Sequence, residues 1–539
     1  MITLTQLSSL AKVFPDKIYG DTSDRGQCAK DTAVSYQIAI LGEKGEYSYK
    51  IDSPLEDKIR VYRVGYVPSV ISAYPHAYDD NYLATEAGLF PDPLFPLDGS
   101  FSIVDDKYLT LWINISIEKD AVAGEYPISI SIFKDGTEVG MSTYILKICD
   151  CILPEQSLIF TQWFHTDCIA DVHGTEVFSP LHWELIERYV SLASEHGMNM
   201  ILTPVLTPPL DTEVGGERTT VQLAKIEKSG DGYVIDLSRL ERFIDLCLDN
   251  GIIFFEINHF FTQWGAKSAP KVIATVDGEE KRIFGWETDA TSEEYRYFLK
   301  CLVPEIIAAF EKKGVDRRRL YFHVSDEPNG EQLDSYRRAG EGLIPLIEGC
   351  NHMDALSHFE FYKERLVPTP VVATSALEPF MEAEVPGLWC YYCCAQAREV
   401  ANRFFSMPSA RSRIIGIQMY KHGIVGFLHW GYNFYNTQYS KMHINPYEVT
   451  DAGGAFPSGD AFSVYPYGNT AIPSLRQKVF KEAIDDMRLL KLLEEKVGKD
   501  RVNEIIGEIA EMDITFKHYP KDEEFFVRLS DRIFLELEK

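Results

Sequence analysis

No run of about eighteen consecutive apolar residues occurs in the chain, so no segment has the length and character of a membrane-spanning helix. The amino-terminal stretch MITLTQLSSLAKVFPDKIYGD lacks the basic start and long apolar run of a secretory signal, and a cytoplasmic protein is expected. Positive charge is scarce as well. Lysine and arginine total 53 against 81 acidic residues, a formal net charge of −28, and so negative a surface repels phosphate backbones and anionic lipids. A nucleic-acid partner is not expected. The ten cysteines lie mostly inside apolar runs rather than at the spacing of a small disulfide scaffold. Cys390 and Cys393 form a CxxC with neither a second pair nor ligand histidines nearby, so neither a metal nor another cofactor is expected.

Core-forming material is plentiful. With 539 residues, 45% of them hydrophobic, the chain exceeds what one hydrophobic core serves, and two or three domains are expected. Up to about Leu153 the pattern is strand-like: AVSYQIAIL, DKIRVYRVGYV, YLTLWINISI, GEYPISISIF and TYILKIC are separated by Gly, Asp, Asn and Pro. This predicts an all-β sandwich over residues 1–153, joined by a linker containing Pro154.

The rhythm then changes to strand followed by helix. SLIFTQWFH is followed by the amphipathic LHWELIERYVSLASEHG, MNMILTPV by a long insertion containing Gly215 and Gly216 and then a helix, and IIFFEINHF by a helix over 291–314. RLYFHVSDEP is the fourth strand, and MDALSHF, PVVATSAL, GLWCYYCC and IVGFLHWGYNFY supply four more. Eight such units predict an α/β (β/α)8 barrel, TIM-like, over 157–472, with the least helix around strands five to seven. The charged helical remainder, 473–539, reads as a C-terminal extension.

In such barrels the functional groups lie at the C-terminal ends of the strands. The fourth strand ends in the adjacent acids Asp326 and Glu327, and Pro328 forces a loop directly after them. His165 and Asp167 from the first strand, His259 from the third, His323, and Trp389, Tyr391, Tyr392, Trp430, Tyr432 and Asn433 from the seventh and eighth join them as candidate substrate-binding residues. His323 alternates with Ser325 and is expected to support the acids from behind. Carboxylates, imidazoles and flat rings in one mouth suit a sugar, whose C–H faces stack on aromatics while its hydroxyls require hydrogen bonds.

Glycoside cleavage by two carboxylates places them on opposite sides of the anomeric carbon, which adjacent residues do not easily span. The seventh and eighth strands carry no acid, and Glu378 after the sixth is the nearest substitute. An unopposed acid pair fits instead a substrate whose own 2-acetamido oxygen attacks. HVSDEP at 323–328, LWCYYCC at 388–394, GIVGFLHWGYNFY at 423–435, and above all SGDAFSVYP from Ser458 and PSLRQKVFKEAIDDMRLLKLL from Pro473 resemble glycoside hydrolase family 123. The resemblance implies a retaining exo-β-N-acetylgalactosaminidase acting on a glycan or glycolipid-derived oligosaccharide with terminal N-acetylgalactosamine. In it Asp326 would orient the acetamido group and Glu327 would be the acid/base. Two other expectations remain beside it: a two-carboxylate retaining glycosidase using Glu327 and Glu378 on a sugar without an acetamide, and a non-catalytic carbohydrate-binding protein.

Overall fold

The structure, a computed structural model, describes residues 2–539 apart from 76, 105 and 231. Two five-stranded sheets face each other at the amino-terminal end. One runs in the order Thr3–Ser8, Thr32–Leu41, Leu109–Ile117, Ile59–Ser69, Gly88–Pro96, and the other in the order Arg25–Lys30, Thr137–Ile152, Gly124–Lys134, Gly45–Asp52, Ser100–Ile103. Alternate residues fill the space between them, with Ile128, Ile130, Ile132 and Leu146 of one sheet meeting Ile113 and Ile115 of the other. The strand Leu109–Ile117 is buried on both faces, because Trp112 points the other way, into the core shared with the barrel.

The barrel strands, labelled β1 to β8, are Ile159–Gln162, Met200–Thr203, Phe254–Ile257, Leu320–Phe322, Asn351–Leu356, Thr369–Ala373, Trp389–Tyr391 and Gly426–His429. Each pairs in parallel with its sequence neighbour from β2 through β8, and β8 returns to β1. Asn199 joins the remaining seam between β1 and β2. Its N–H donates to Phe160 O at 3.2 Å, its Oδ1 accepts from Phe160 N–H at 2.8 Å, and its Nδ2 donates to Leu158 O at 3.0 Å. The interior is filled by Met200, Leu202, Tyr321, Met353, Val371 and Trp389 in layers. Gly426 is required beside Trp389, since a Cβ there would lie 2.0 Å from the indole.

The outer helices are long after β1, β3 and β4 but shrink to Glu360–Lys363 after β5 and Glu378–Glu382 after β6, as the short spacing there predicted. Insertions after β2 and β3 build a separate four-stranded sheet. The helix Leu475–Val497 lies on β1 and β8, with Phe480 stacked on Phe160 at 4.6 Å and tilted against Phe427 at 4.9 Å. Two further helices, Lys499–Ala510 and Glu524–Glu538, follow it. No helix among the described residues is long and apolar enough to cross a membrane.

Arg476, at the start of Leu475–Val497, fastens the sandwich to the barrel. It makes a bidentate pair with Asp92 at 2.8 Å, donates to Gly459 O at 2.5 Å and to Phe462 O at 2.9 Å, and both ionic partners are buried. Asp92→Ala would leave that guanidinium buried without its counter-charge. The expected loss is about 3–5 kcal/mol, read as a lower urea midpoint, whereas a midpoint within experimental error of wild type would show that the pair is not a fastening.

Candidate active site

Leu320, Tyr321 and Phe322 form β4, and the chain leaves it through Val324 and Ser325 into the acid pair. Successive residues of an extended chain point to opposite sides. Glu327, however, has a left-handed φ of 42°, which turns the chain at the second acid. Its N–H donates to Ala355 O at 3.1 Å, and Asp326 O accepts from Trp264 N–H at 3.3 Å, so the turn is held from both sides. The Glu327 carboxylate accepts a hydrogen bond from the Tyr391 hydroxyl across the mouth. Asp326 is the more enclosed of the two, and burial, followed by the nearby Glu327 charge, holds its carboxyl well above the usual range.

Beneath the pair lies a buried charged floor. His323 donates from Nε2 to Glu256 Oε1 at 2.7 Å and from Nδ1 to Asp354 Oδ1 at 3.0 Å. Burial opposes its charge, but the bonds to Asp354 and Glu256 outweigh that and lift it to about 10. Glu256 also accepts from Trp163 Nε1 at 2.6 Å and Thr161 Oγ1 at 2.9 Å. Asp354 accepts from the Tyr336 hydroxyl and from the N–H groups of Val324 at 3.2 Å and Ser325 at 3.3 Å. The His323 charge acts on Asp326, favouring the ionised carboxyl there.

His259, His323 and Asp354 bring ligand-type atoms within 4.8 Å of one another. They do not fit a metal. Both nitrogens of His323 are taken by carboxylates, and the two imidazoles stack at 4.1 Å and 18°, so their in-plane lone pairs run side by side instead of converging. His259 is buried and neutral, and neither of its ring nitrogens has a partner among the described residues.

The other sequence candidates fall into three groups. His165 and Asp167 gather around Arg218, a residue of the β2 insertion that donates to Asp167 at 2.7 and 2.9 Å and to His165 Nδ1 at 3.0 Å. Burial and then that guanidinium push His165 down to about 3, so it is neutral and donates from Nε2 to Trp430 O. Asn433 brackets the His165 backbone at 2.8 and 3.0 Å. Tyr391, Trp389 and Trp430 belong to the barrel interior, and Trp430 donates to Asp460 at 2.8 Å. Tyr392 and Tyr432 face the outer layer. Tyr392 packs on Phe427, and Tyr432 donates to Tyr189 O at 3.0 Å.

Several residues at the mouth carried no motif. Glu256 and Asp354 read as strand interior, and Asp211, Arg218, Trp264 and Tyr439 lie in irregular insertions. Asp211 stands close enough to Asp326 for its charge to raise that carboxyl, and burial pushes Asp211 itself up to about 6. Asp354 could have been flagged by its place inside the apolar strand β5, since a buried carboxylate is rarely unpaired.

The family model described as "Glycoside hydrolase 123, catalytic domain" matches residues 163–493. Among solved structures, a family 123 glycoside hydrolase from Clostridium perfringens, described in terms of glycolipid glycan hydrolysis, superposes with a TM-score of 0.73 at 15% identity. The match covers 100% of this chain and 98% of that one. A Bacteroides ovatus GH5 xyloglucanase reaches only 0.31 at 10% identity, over 86% and 98% of the two chains. No curated protein sequence matches significantly.

The His323 charge has a consequence for stability. A base whose folded pKa is raised from 6.5 to about 10 stabilises the fold fully below 6.5, and that stabilisation is lost as pH rises through about 10. Wild type should thus lose on the order of a few kcal/mol between pH 6.5 and 10. Asp354→Asn should be less stable at pH 6.5 but flatter over the same window, and parallel profiles from urea titration would contradict a protonated His323.

Proposed function

The chain belongs to glycoside hydrolase family 123, and from its acid pair we propose a retaining exo-β-N-acetylgalactosaminidase that works through an oxazolinium formed by the substrate's own acetamide. The observation that carries this is the pair itself, Asp326 and Glu327 adjacent beyond β4, with no carboxylate at the ends of β7 and β8. Glu378, the alternative nucleophile, is half-buried and paired with Lys517 of the C-terminal segment. Asp354 and Asp211 both raise the Asp326 carboxyl, but Asp354 is tied to His323 beneath the pair, which leaves Asp211 to be weighed. Its Oδ2 accepts from Tyr439 N–H at 3.1 Å and its carboxyl is held up to about 6, the opposite of what a nucleophile needs. The N-acetylgalactosamine preference rests on the family resemblance, and a glycolipid-derived glycan is suggested by the Clostridium perfringens relative.

In this scheme the free enzyme carries its proton on Asp326, whose carboxyl burial and the Glu327 charge raise. An arriving acetamide donates its N–H to Asp326 and favours the ionised form there, which leaves the proton on Glu327. Glu327 then protonates the glycosidic oxygen as the acetamide oxygen closes on the anomeric carbon. Asp326 faces the cationic ring so formed, and Glu327 takes a proton from the water that opens it. His259, buried with neither ring nitrogen hydrogen-bonded, packs between His323 and Trp163. The tyrosine hydroxyl of Tyr391 holds Glu327 in place.

Matched aryl β-galactosides bearing 2-acetamido or 2-hydroxy groups test the mechanism. Intramolecular placement can be worth about 7–11 kcal/mol, so kcat/KM should fall by many orders of magnitude without the acetamide, and a thiazoline analogue should inhibit strongly. Comparable rates on both sugars would overturn the proposal. Glu327→Gln should lower kcat on a natural disaccharide by about 10²–10⁴-fold yet spare much of the first step on activated aryl glycosides, while Asp326→Asn should damage both. Because one proton must stay on the pair, the pH profile should be bell-shaped, and a flat profile from about pH 4 to 9 with chemistry rate-limiting would exclude an acid/base pair.

A further inference from the structure

The barrel mouth is crossed on two opposite sides. On one, the Tyr391 hydroxyl at the end of β7 meets Glu327 beyond β4, a bridge over β5 and β6. On the other, the insertion after β2 meets the hairpin after β8, a bridge over β1. Four contacts make this second bridge. Asp211 Oδ2 accepts from Tyr439 N–H at 3.1 Å, Ser440 Oγ donates to Asp211 O at 2.7 Å, Glu213 N–H donates to Tyr439 O at 3.0 Å, and Lys441 pairs with Glu213 at 2.8 Å. The Arg218 cluster with His165 and Asp167 anchors its base, since Arg218 also donates to Leu210 O at 3.0 Å.

The strap is strained and aromatic. Asp211, Tyr439 and Ser440 all hold left-handed φ values, 41°, 60° and 53°, as does Trp264 at 58°. Such conformations cost roughly 1–3 kcal/mol each in residues other than glycine and persist where surrounding contacts impose them, often at ligand sites. Trp264, 42% exposed, is tied by its N–H to the carbonyl of Asp326, and its ring meets Tyr439 edge-on at 6.0 Å. The strap's tyrosine thus stands at the rim of the acid pair, on the side away from the Glu327–Tyr391 bridge.

Resting on the function proposed above, in which Glu327 protonates the leaving oxygen, we propose that this strap is the wall that restricts cleavage to terminal sugars. The leaving group departs on the Glu327 side. The far edge of the reacting ring then faces Tyr439 and Trp264, and a further sugar on that edge would collide with the strap. Removing the strap should open a cleft in which an internal 2-acetamido sugar can lie.

The hairpin suggests how to remove it. Thr437 N–H donates to Met442 O at 2.9 Å, so replacing Gln438–Lys441 by Asn-Gly leaves a two-residue hairpin turn. Lys441→Glu, which sets like charges at Glu213, loosens the strap without deletion. The probes are an aryl 2-acetamido-β-galactoside and the same glycoside carrying a further galactose on its non-reducing side. Wild type should cleave and bind only the first. In the short-turn variant, kcat/KM for the extended probe relative to the terminal one should rise at least tenfold, with a smaller rise in Lys441→Glu. An unchanged ratio in both variants, or wild type cleaving both probes alike, would overturn the wall. Calorimetric binding of the two sugars tests it independently of chemistry: if wild type binds the terminal sugar alone and hydrolyses neither, the proposed reaction fails and the wall stands. Equal binding of both sugars by wild type removes the wall whatever the chemistry does.

Discussion

The protonated imidazole of His323, held between the buried carboxylates of Glu256 and Asp354, is the interaction on which the floor of the mouth depends. Two buried acids could not stand there uncompensated, and a buried base could not stay charged without them. Through its partners the cluster ties together the ends of β1, β3, β4 and β5, because Thr161 and Trp163 donate to Glu256 while the N–H groups of Val324 and Ser325 donate to Asp354. The backbone is therefore fixed immediately before Asp326. A positive charge directly behind it also favours the ionised form of that carboxyl, against burial and its neighbours.

The segments that most strongly marked the family, SGDAFSVYP and PSLRQ, contribute no acid to the pair. They meet at Arg476, which gathers Asp92 of the sandwich and the carbonyls of Gly459 and Phe462, while Asp460 between those carbonyls accepts from Trp430. Their role is to brace β8 and the sandwich against the barrel, so that the aromatic wall on that side of the mouth is set by a buried ionic joint and not by a loop. Rigid scaffolding of this kind is what allows strained residues such as Glu327, Trp264 and Tyr439 to persist around the opening.

What the sequence determined by itself was local: the change of period from 2 to 3.6 at the linker, eight strand–helix units with thin helical cover near β5 and β6, and an acid pair followed by Pro328 in the loop after β4. These follow from hydrophobic periodicity and backbone chemistry, which act between residues close in the chain. Partner choice was decided only by the tertiary structure. Barrel strands are buried on both faces, so alternation could not say which parity points inward, and Tyr391 reaches Glu327 while Tyr392 and Tyr432 pack against the outer helices. Glu256 and Asp354 looked like interruptions of apolar strands until β3, β4 and β5 brought them to one imidazole. Asp211, Arg218, Trp264 and Tyr439 sit in insertions without periodicity, and their convergence over β1 is set by ring closure of the barrel, a contact between the second and eighth units that no local pattern encodes.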